Sequence, residues 1–205
     1  IEAMTTTSTP RADFGHVSVF FGEKNGKYPN GNQVIVRGSQ AHVALDAPIV
    51  ANHLGPDFDS ADFVILGHAH EDHMAGLHRL PHAPLYVHEK DLAAARTWDG
   101  LVAAYGTTDP KNIADMLQRF RRDFSYMPRP DAQGYTEGTT WDLGGVTVRA
   151  FHMPGHTAGH CVLLMEPDGV AFIGDIDLTG FGPYYGDASS ARASPGCRRS
   201  RPRCG

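Results

Sequence analysis

The hexapeptide at residues 68–73, His-Ala-His-Glu-Asp-His, constrains the fold of this chain more than any other stretch. It follows the apolar run at 63–66 and Gly67, and a short run of β-branched and aromatic residues that ends in glycine predicts a buried strand. A packed core alone cannot satisfy three imidazoles and a carboxylate, because buried polar groups need partners. Imidazole and carboxylate are the usual nitrogen and oxygen ligands of Zn²⁺ and similar ions. The sequence therefore predicts a metal site at the end of a buried strand.

The spacing within the hexapeptide favours two neighbouring ions over one. In an extended or turning loop, His68 and His70 point the same way, while Asp72 and His73 are displaced to one side. The alternative interpretation is a histidine-rich surface loop. That interpretation suits a single histidine better than four potential ligands at the end of a buried strand.

Two later strand ends carry residues of the same kinds. The run at 146–151 predicts a strand, and Pro154-Gly155 then forms a tight turn that presents His156. The run at 170–173 predicts another strand, which ends at Gly174-Asp175. A Gly-Asp pair by itself most often marks a turn, but beside a metal-binding hexapeptide Asp175 becomes a candidate ligand that can bridge two ions.

The order of the predicted elements indicates an α/β fold. Strand-like runs are separated by turn signals at 38–39, 144–145 and 167–169. Asp109-Pro110 marks the start of a helix, another helix is predicted from Asp72 through Leu80, and 126–138 is predicted to be a loop. The chain is β-rich, then helical, then β-rich again. This order fits two mixed β-sheets, face to face with helices outside.

Composition indicates one soluble globular domain. The chain has 205 residues, of which 41% are hydrophobic and 20% charged. A net charge of −5 gives no reason to expect nucleic acid, and no run approaches the length of a membrane span. The first residues lack the features of a signal peptide, and Met4 is expected to be the natural start. With Cys161 alone in the body of the chain, we expect a cytoplasmic protein.

The two ends of the chain are expected to lie outside the domain. We predict a domain over 14–187, a loose N-terminus at 1–13 and a disordered basic tail at 188–205. The tail has five arginines, no acidic residue, two of the three cysteines and no apolar periodicity. Such an abrupt change of character is typical of an altered terminus, although a basic tail can also bind an acidic partner.

Four motifs in this order resemble the metallo-β-lactamase-fold hydrolases. They are the hexapeptide at 68–73, Pro-Gly-His-Thr-Ala-Gly-His at 154–160, Gly-Asp at 174–175 and Leu-Asp at 45–46. The second motif is most similar to the glyoxalase II-like branch. The resemblance covers about residues 14–187 and implies an αββα sandwich with the two mixed β-sheets predicted above. Compared with the family pattern, the second half is incomplete, because its terminal strand and helix are missing.

The resemblance also implies a role for each candidate ligand. The six ligands would be His68, His70 and His156 for a first ion, Asp72 and His73 for a second, and Asp175 for both. Asp46 and His160 would support these ligands or the fold. The implied cofactor is Zn²⁺, as one or two ions, with Fe²⁺ as the alternative.

Three functions follow from this implied site. The first is a zinc-dependent hydrolase that uses a metal-activated hydroxide on an ester, thioester or lactone, with Asp72 orienting the nucleophile or carrying its proton. The second is a mononuclear iron oxygenase of the persulfide dioxygenase kind, with two histidines and Asp175 as ligands and His68 or His70 left over. The third is a metal-binding protein without catalysis. The presence of Asp72, His73 and His156 together favours two metals and hence hydrolysis of a small-molecule substrate.

One departure from the family pattern bears on the second ion. The family usually supplies one more histidine from a strand end downstream of the bridging aspartate, and no histidine follows His160 in this sequence. We therefore expect a second site that is weak, completed by water or empty. Tyr184 and Tyr185 could lie over the site, although ordinary aromatic packing is the simpler interpretation.

Overall fold

The computed structural model describes residues 9–176, Ala188 and Ser190, and within these residues the chain forms two sheets. The first sheet has seven strands in sequence order: β1 (Arg11–Phe14), β2 (Val17–Phe20), β3 (Gln33–Arg37), β4 (His42–Leu45), β5 (Phe63–Ile65), β6 (Leu85–His88) and β7 (Gln133–Tyr135). Strands β1 to β4 pair antiparallel, and β4 to β7 pair parallel. This sheet is mixed, as predicted.

The second sheet has four described strands in the order β11-β10-β9-β8, all antiparallel. Their bounds are β8 (Thr140–Asp142), β9 (Thr147–His152), β10 (Cys161–Glu166) and β11 (Val170–Phe172). An apolar core lies between the two sheets, because alternate residues of β3, β4, β9 and β10 are buried against one another. The sheets therefore lie face to face.

The α-helices of the described residues cover the other face of the first sheet. They are α1 (Pro56–Asp59), α2 (Leu92–Arg96), α3 (Trp98–Tyr105) and α4 (Pro110–Phe124). Leu101, Phe120 and Phe124 pack in one cluster with Val64 and Leu85 of the sheet. Asp109 caps α4 as predicted, since its carboxylate accepts the amide hydrogen of Asn112 at 2.9 Å. None of the described helices has the length and apolar character needed to cross a membrane.

Three local expectations are wrong, each because tertiary pairing outweighs local pattern. Residues 11–13 lie inside the segment expected to be loose, but with Phe14 they form β1, which pairs with β2 across a tight turn through Gly15. Within the predicted loop at 126–138, β7 pairs with β6, although Gly134 leaves the segment without an apolar alternation. Both strands are short and have little apolar surface, so the hydrophobic period could not reveal them.

The helix predicted from Asp72 through Leu80 is also wrong. Two 3₁₀ turns, Glu71–His73 and Leu77–Arg79, occupy this stretch. Ala47 explains the break, because its amide hydrogen is donated to the carbonyl of His73 at 2.8 Å and its carbonyl accepts the amide hydrogen of Gly76 at 2.7 Å. These bonds to the end of β4 replace the bonds that a continuous α-helix would make.

Candidate metal centre

The strand ends bring the predicted residues to one edge of the sandwich. Because β4 and β5 are parallel, Asp46 and the hexapeptide leave the first sheet at the same edge. The amide hydrogen of Cys161, at the start of β10, is donated to the carbonyl of Gly67 at 2.8 Å. This bond holds the start of β10 beside the hexapeptide, so that the loop at 153–160, between β9 and β10, faces it.

Three buried imidazoles converge from the two sheets. Nδ1 of His70 lies 3.1 Å from Nε2 of His68 and 3.0 Å from Nε2 of His156. Burial, together with the nearby imidazoles of His73 and His70, holds the pKa of His68 well below its ordinary value. His68 is therefore neutral, which is the form that binds a metal ion.

A second cluster lies beside the first and contains two carboxylates. Nε2 of His73 lies 3.1 Å from Asp175 and 3.6 Å from Asp72. The other carboxylate oxygen of Asp175 lies 3.5 Å from Nε2 of His156, so Asp175 stands between the two clusters. Burial opposes a positive charge on His73, but the carboxylates of Asp72, Asp175 and Asp46 outweigh it and hold the pKa of His73 well above its ordinary value.

Both clusters have a donor set that fits a divalent ion. Within each triad, His68–His70–His156 and Asp72–His73–Asp175, the potential ligand atoms all lie within 4.8 Å of one another. A third triad, Asp46–His68–His73, meets the same distance limit. Nδ1 of His68 is buried and has no hydrogen-bond partner among the described residues. Imidazole with carboxylate is the chemistry of zinc and iron sites.

Asp46 contacts the second cluster through the ring of His73. Its carboxylate accepts a hydrogen bond from Nδ1 of His73 at 2.5 Å and another from the amide of Gly67 at 2.7 Å. This contact leaves Nε2 of His73 facing Asp72 and Asp175, which is the arrangement that a carboxylate gives a metal-binding histidine. Asp46 has a φ of 56°, a left-handed conformation that aspartate tolerates better than most residues.

His160 supports Asp175 rather than joining either cluster. Its Nε2 accepts the backbone amide hydrogen of Asp175 at 3.3 Å, and burial lowers the pKa of His160 to about 4. A Cβ on Gly174 would lie 2.7 Å from the same nitrogen, and Gly174 has a φ of 55°. Glycine at 174 therefore permits the close approach that carries Asp175 to the centre.

Two carboxylates at the site were missed by sequence reasoning. Glu71 is buried and accepts hydrogen bonds from the hydroxyls of Tyr28, at 3.1 Å, and Tyr105. Asp91 is buried and contacts both the hexapeptide and the loop at 153–160, which we call the two ligand loops. Glu71 lies within the hexapeptide, so its position was a signal. Nothing in the sequence around Asp91 marks it.

A cavity of about 260 Å³ opens beside the second cluster. Its lining includes Asp46, His73 and Asp175, together with apolar side chains of both sheets such as Val34 and Met165. Tyr184, Tyr185 and the predicted tail lie outside the described residues, apart from Ala188 and Ser190. The hydroxyl of Ser190 donates to the carbonyl of His156 at 2.7 Å.

Comparison with known proteins agrees with this architecture. The family model described as "Metallo-beta-lactamase superfamily" matches residues 59–196. Among solved structures, the chain is similar to the FEZ-1 metallo-beta-lactamase from Legionella gormanii, with a TM-score of 0.59 and 15% identity over 84% of this chain and 66% of that one. It is also similar to a metallo-beta-lactamase family protein from Thermus thermophilus, with a TM-score of 0.59 and 21% identity over 85% and 60%.

Two curated relatives are named as a hydrolase and a thioesterase. A hydroxyacylglutathione hydrolase of Acidiphilium cryptum is 35% identical over 114 residues, which are 56% of this chain and 34% of that protein. The acyl-coenzyme A thioesterase MBLAC2 of Gallus gallus is 28% identical over 171 residues, or 75% and 61%. The chain thus spans less than two thirds of each of these relatives. From the family match and the fold, this chain belongs to the metallo-beta-lactamase superfamily.

Proposed function

We propose that this chain is a zinc-dependent hydrolase of a small ester or thioester. The observation that carries the proposal is the convergence of two ligand clusters on Asp175. The hydroxyacylglutathione hydrolase and the acyl-coenzyme A thioesterase support a thioester by their names. A lactone would meet the same chemistry at its carbonyl carbon.

The candidate ligands would hold two ions, according to the cluster in which each lies. His68, His70 and His156 would hold one ion, Asp72 and His73 a second, and Asp175 would contact both. A bound zinc ion lowers the pKa of coordinated water toward neutrality and polarises the carbonyl oxygen of a substrate. Without a metal ion, burial raises the pKa of Asp72 to about 6. Beside the second ion this carboxylate would be ionised and would orient the nucleophile or accept its proton.

The cavity beside His73 supports a small-molecule substrate. Its apolar lining suits the hydrocarbon part of an ester or thioester, and the presence of Asp46, His73 and Asp175 in that lining would put the carbonyl beside the second cluster. We further propose a cytoplasmic location. This is supported by Cys161, which is a buried free thiol in the described part of the chain.

The mononuclear iron oxygenase is the alternative to test against. A facial triad needs two histidines and one carboxylate, whereas this centre groups three histidines in one cluster and two carboxylates with a fourth histidine in the other. The larger donor set supports two ions and hydrolysis.

Metal content of the purified chain, followed by turnover, tests the proposal. We expect about two zinc ions per chain and hydrolysis of a generic acyl thioester that is lost on treatment with a chelator and recovered with zinc. One iron per chain with oxygen consumption on a persulfide would favour the oxygenase. One zinc or none, without turnover, would favour a metal-binding protein and overturn the two-ion hydrolase.

A further inference from the structure

A buried carboxylate outside both ligand clusters connects the two ligand loops. One oxygen of Asp91 accepts the amide hydrogen of Ala69 at 3.2 Å and the hydroxyl hydrogen of Thr157 at 2.6 Å. The other oxygen accepts the amide hydrogen of Gly159 at 2.7 Å. Ala69 lies in the hexapeptide, while Thr157 and Gly159 lie in the loop at 153–160, so one side chain bonds to both loops.

We propose that Asp91 is a positioning residue for the metal centre, an inference that rests on the proposed function. Ala69 separates His68 from His70, and Thr157 directly follows His156. Every histidine of the first cluster is therefore a chain neighbour of a residue that Asp91 holds. Since the two loops come from different sheets, Asp91 fixes the distance across which the three imidazole nitrogens meet.

The local structure around Asp91 indicates that its side chain is committed to these loops. Asp91 stands at the start of α2, where an aspartate commonly caps the helix, yet its side chain makes no capping hydrogen bond. The carboxylate turns instead toward the ligand loops. A Cβ on Gly159 would lie 2.6 Å from Cγ of Asp91, so the loop approaches the carboxylate as closely as only glycine allows.

The charge of Asp91 matters as well as its shape. A carboxylate offers only acceptors and can receive all three hydrogen bonds at once. The amide of an Asp91→Asn variant has one acceptor oxygen and an NH₂ group that would face a donor. Such a variant keeps the volume of the side chain but, whichever way its amide turns, loses at least one of the three hydrogen bonds and sets its NH₂ group against a backbone N–H.

The test measures zinc affinity by competition with a chromophoric chelator and records the visible spectrum of the Co²⁺-substituted chain. We expect Asp91→Asn to weaken zinc binding by about 10- to 100-fold, the usual effect of losing a residue that orients metal ligands. We also expect it to change the Co²⁺ spectrum, which reports ligand geometry. Asp131→Asn is the control, because Asp131 pairs with Arg129 and is half-exposed; it should leave both readouts unchanged.

A second pair of variants keeps the test decisive if Asp91→Asn does not fold. Thr157→Val removes one hydrogen bond to Asp91 and should weaken zinc binding, whereas Thr157→Ser restores the hydroxyl and should bind zinc like the original chain. If Asp91→Asn matches the original chain in zinc affinity and Co²⁺ spectrum, the positioning role is overturned. The same holds if Thr157→Val binds zinc as tightly as Thr157→Ser. Either result would leave the proposed hydrolase in place. An original chain that binds no zinc would overturn both proposals.

Discussion

The two ligand clusters differ in how the protein holds them. His68, His70 and His156 are all buried, and the two loops that carry them are both hydrogen-bonded to Asp91. In the second cluster, Asp72 and His73 are also buried, but the side chain of Asp175 is 40% exposed and follows β11, which pairs only with β10 among the described residues. The first cluster is thus preorganised by the fold, whereas the second depends on one strand end.

Removing a candidate ligand of the first cluster should have the largest effect. We expect His70→Ala to weaken binding of the tighter zinc ion by more than about 100-fold, beyond the range for residues that only orient ligands. Chelator competition measures the affinity. His82→Ala is the control, because His82 is exposed and outside both clusters. A tight ion retained in His70→Ala would show that the first cluster does not bind it.

Loss of Asp46 should destabilise the fold next most strongly. Asp46→Ala leaves the ring of His73 and the amide of Gly67 without their buried acceptor, which costs about 2 kcal/mol of unfolding free energy. Urea denaturation of the metal-free chain measures this cost. Asp46→Asn keeps an acceptor and tolerates the positive φ, so it should cost less than Asp46→Ala. Equal costs for the two variants would contradict this account.

Changing Asp175 should affect binding of the two proposed ions unequally. We expect Asp175→Asn to weaken the second, looser ion by about tenfold, or about 1.4 kcal/mol, and to affect the tighter ion less, since the first cluster keeps its three imidazoles. A two-step zinc titration by calorimetry distinguishes the ions. Equal losses at both steps would mean that Asp175 supports the two clusters alike.

Removing the Tyr28 hydroxyl should have the smallest effect. Tyr28 is 60% exposed and donates to the buried Glu71, so Tyr28→Phe should cost about 0.5 kcal/mol in unfolding free energy. Tyr105→Phe is the matched comparison, because Tyr105 donates to the same carboxylate and its ring lies 5.3 Å from that of His70. A larger cost for Tyr28 than for Tyr105 would contradict the view that burial sets the strength of these bonds.

The sequence revealed the candidate metal ligands better than the residues and strands that position them. Candidates such as His70 and Asp175 lie at strand ends, and strand ends meet at one edge of a sandwich, so apolar runs followed by polar residues located them. Asp91 was invisible because its partners are two backbone amides and a hydroxyl far along the chain. Likewise, β7 forms by pairing with β6 and not from its own composition.

The contact between His70 and His156 has a consequence for the order of events in folding. These residues are 86 positions apart in the chain and come from different sheets. Contacts of such long sequence separation form only after the intervening chain has closed, which is slow compared with local helix formation. High-affinity zinc binding should therefore be a late kinetic phase in refolding, and the dye signal of a zinc chelator would report when the two sheets dock.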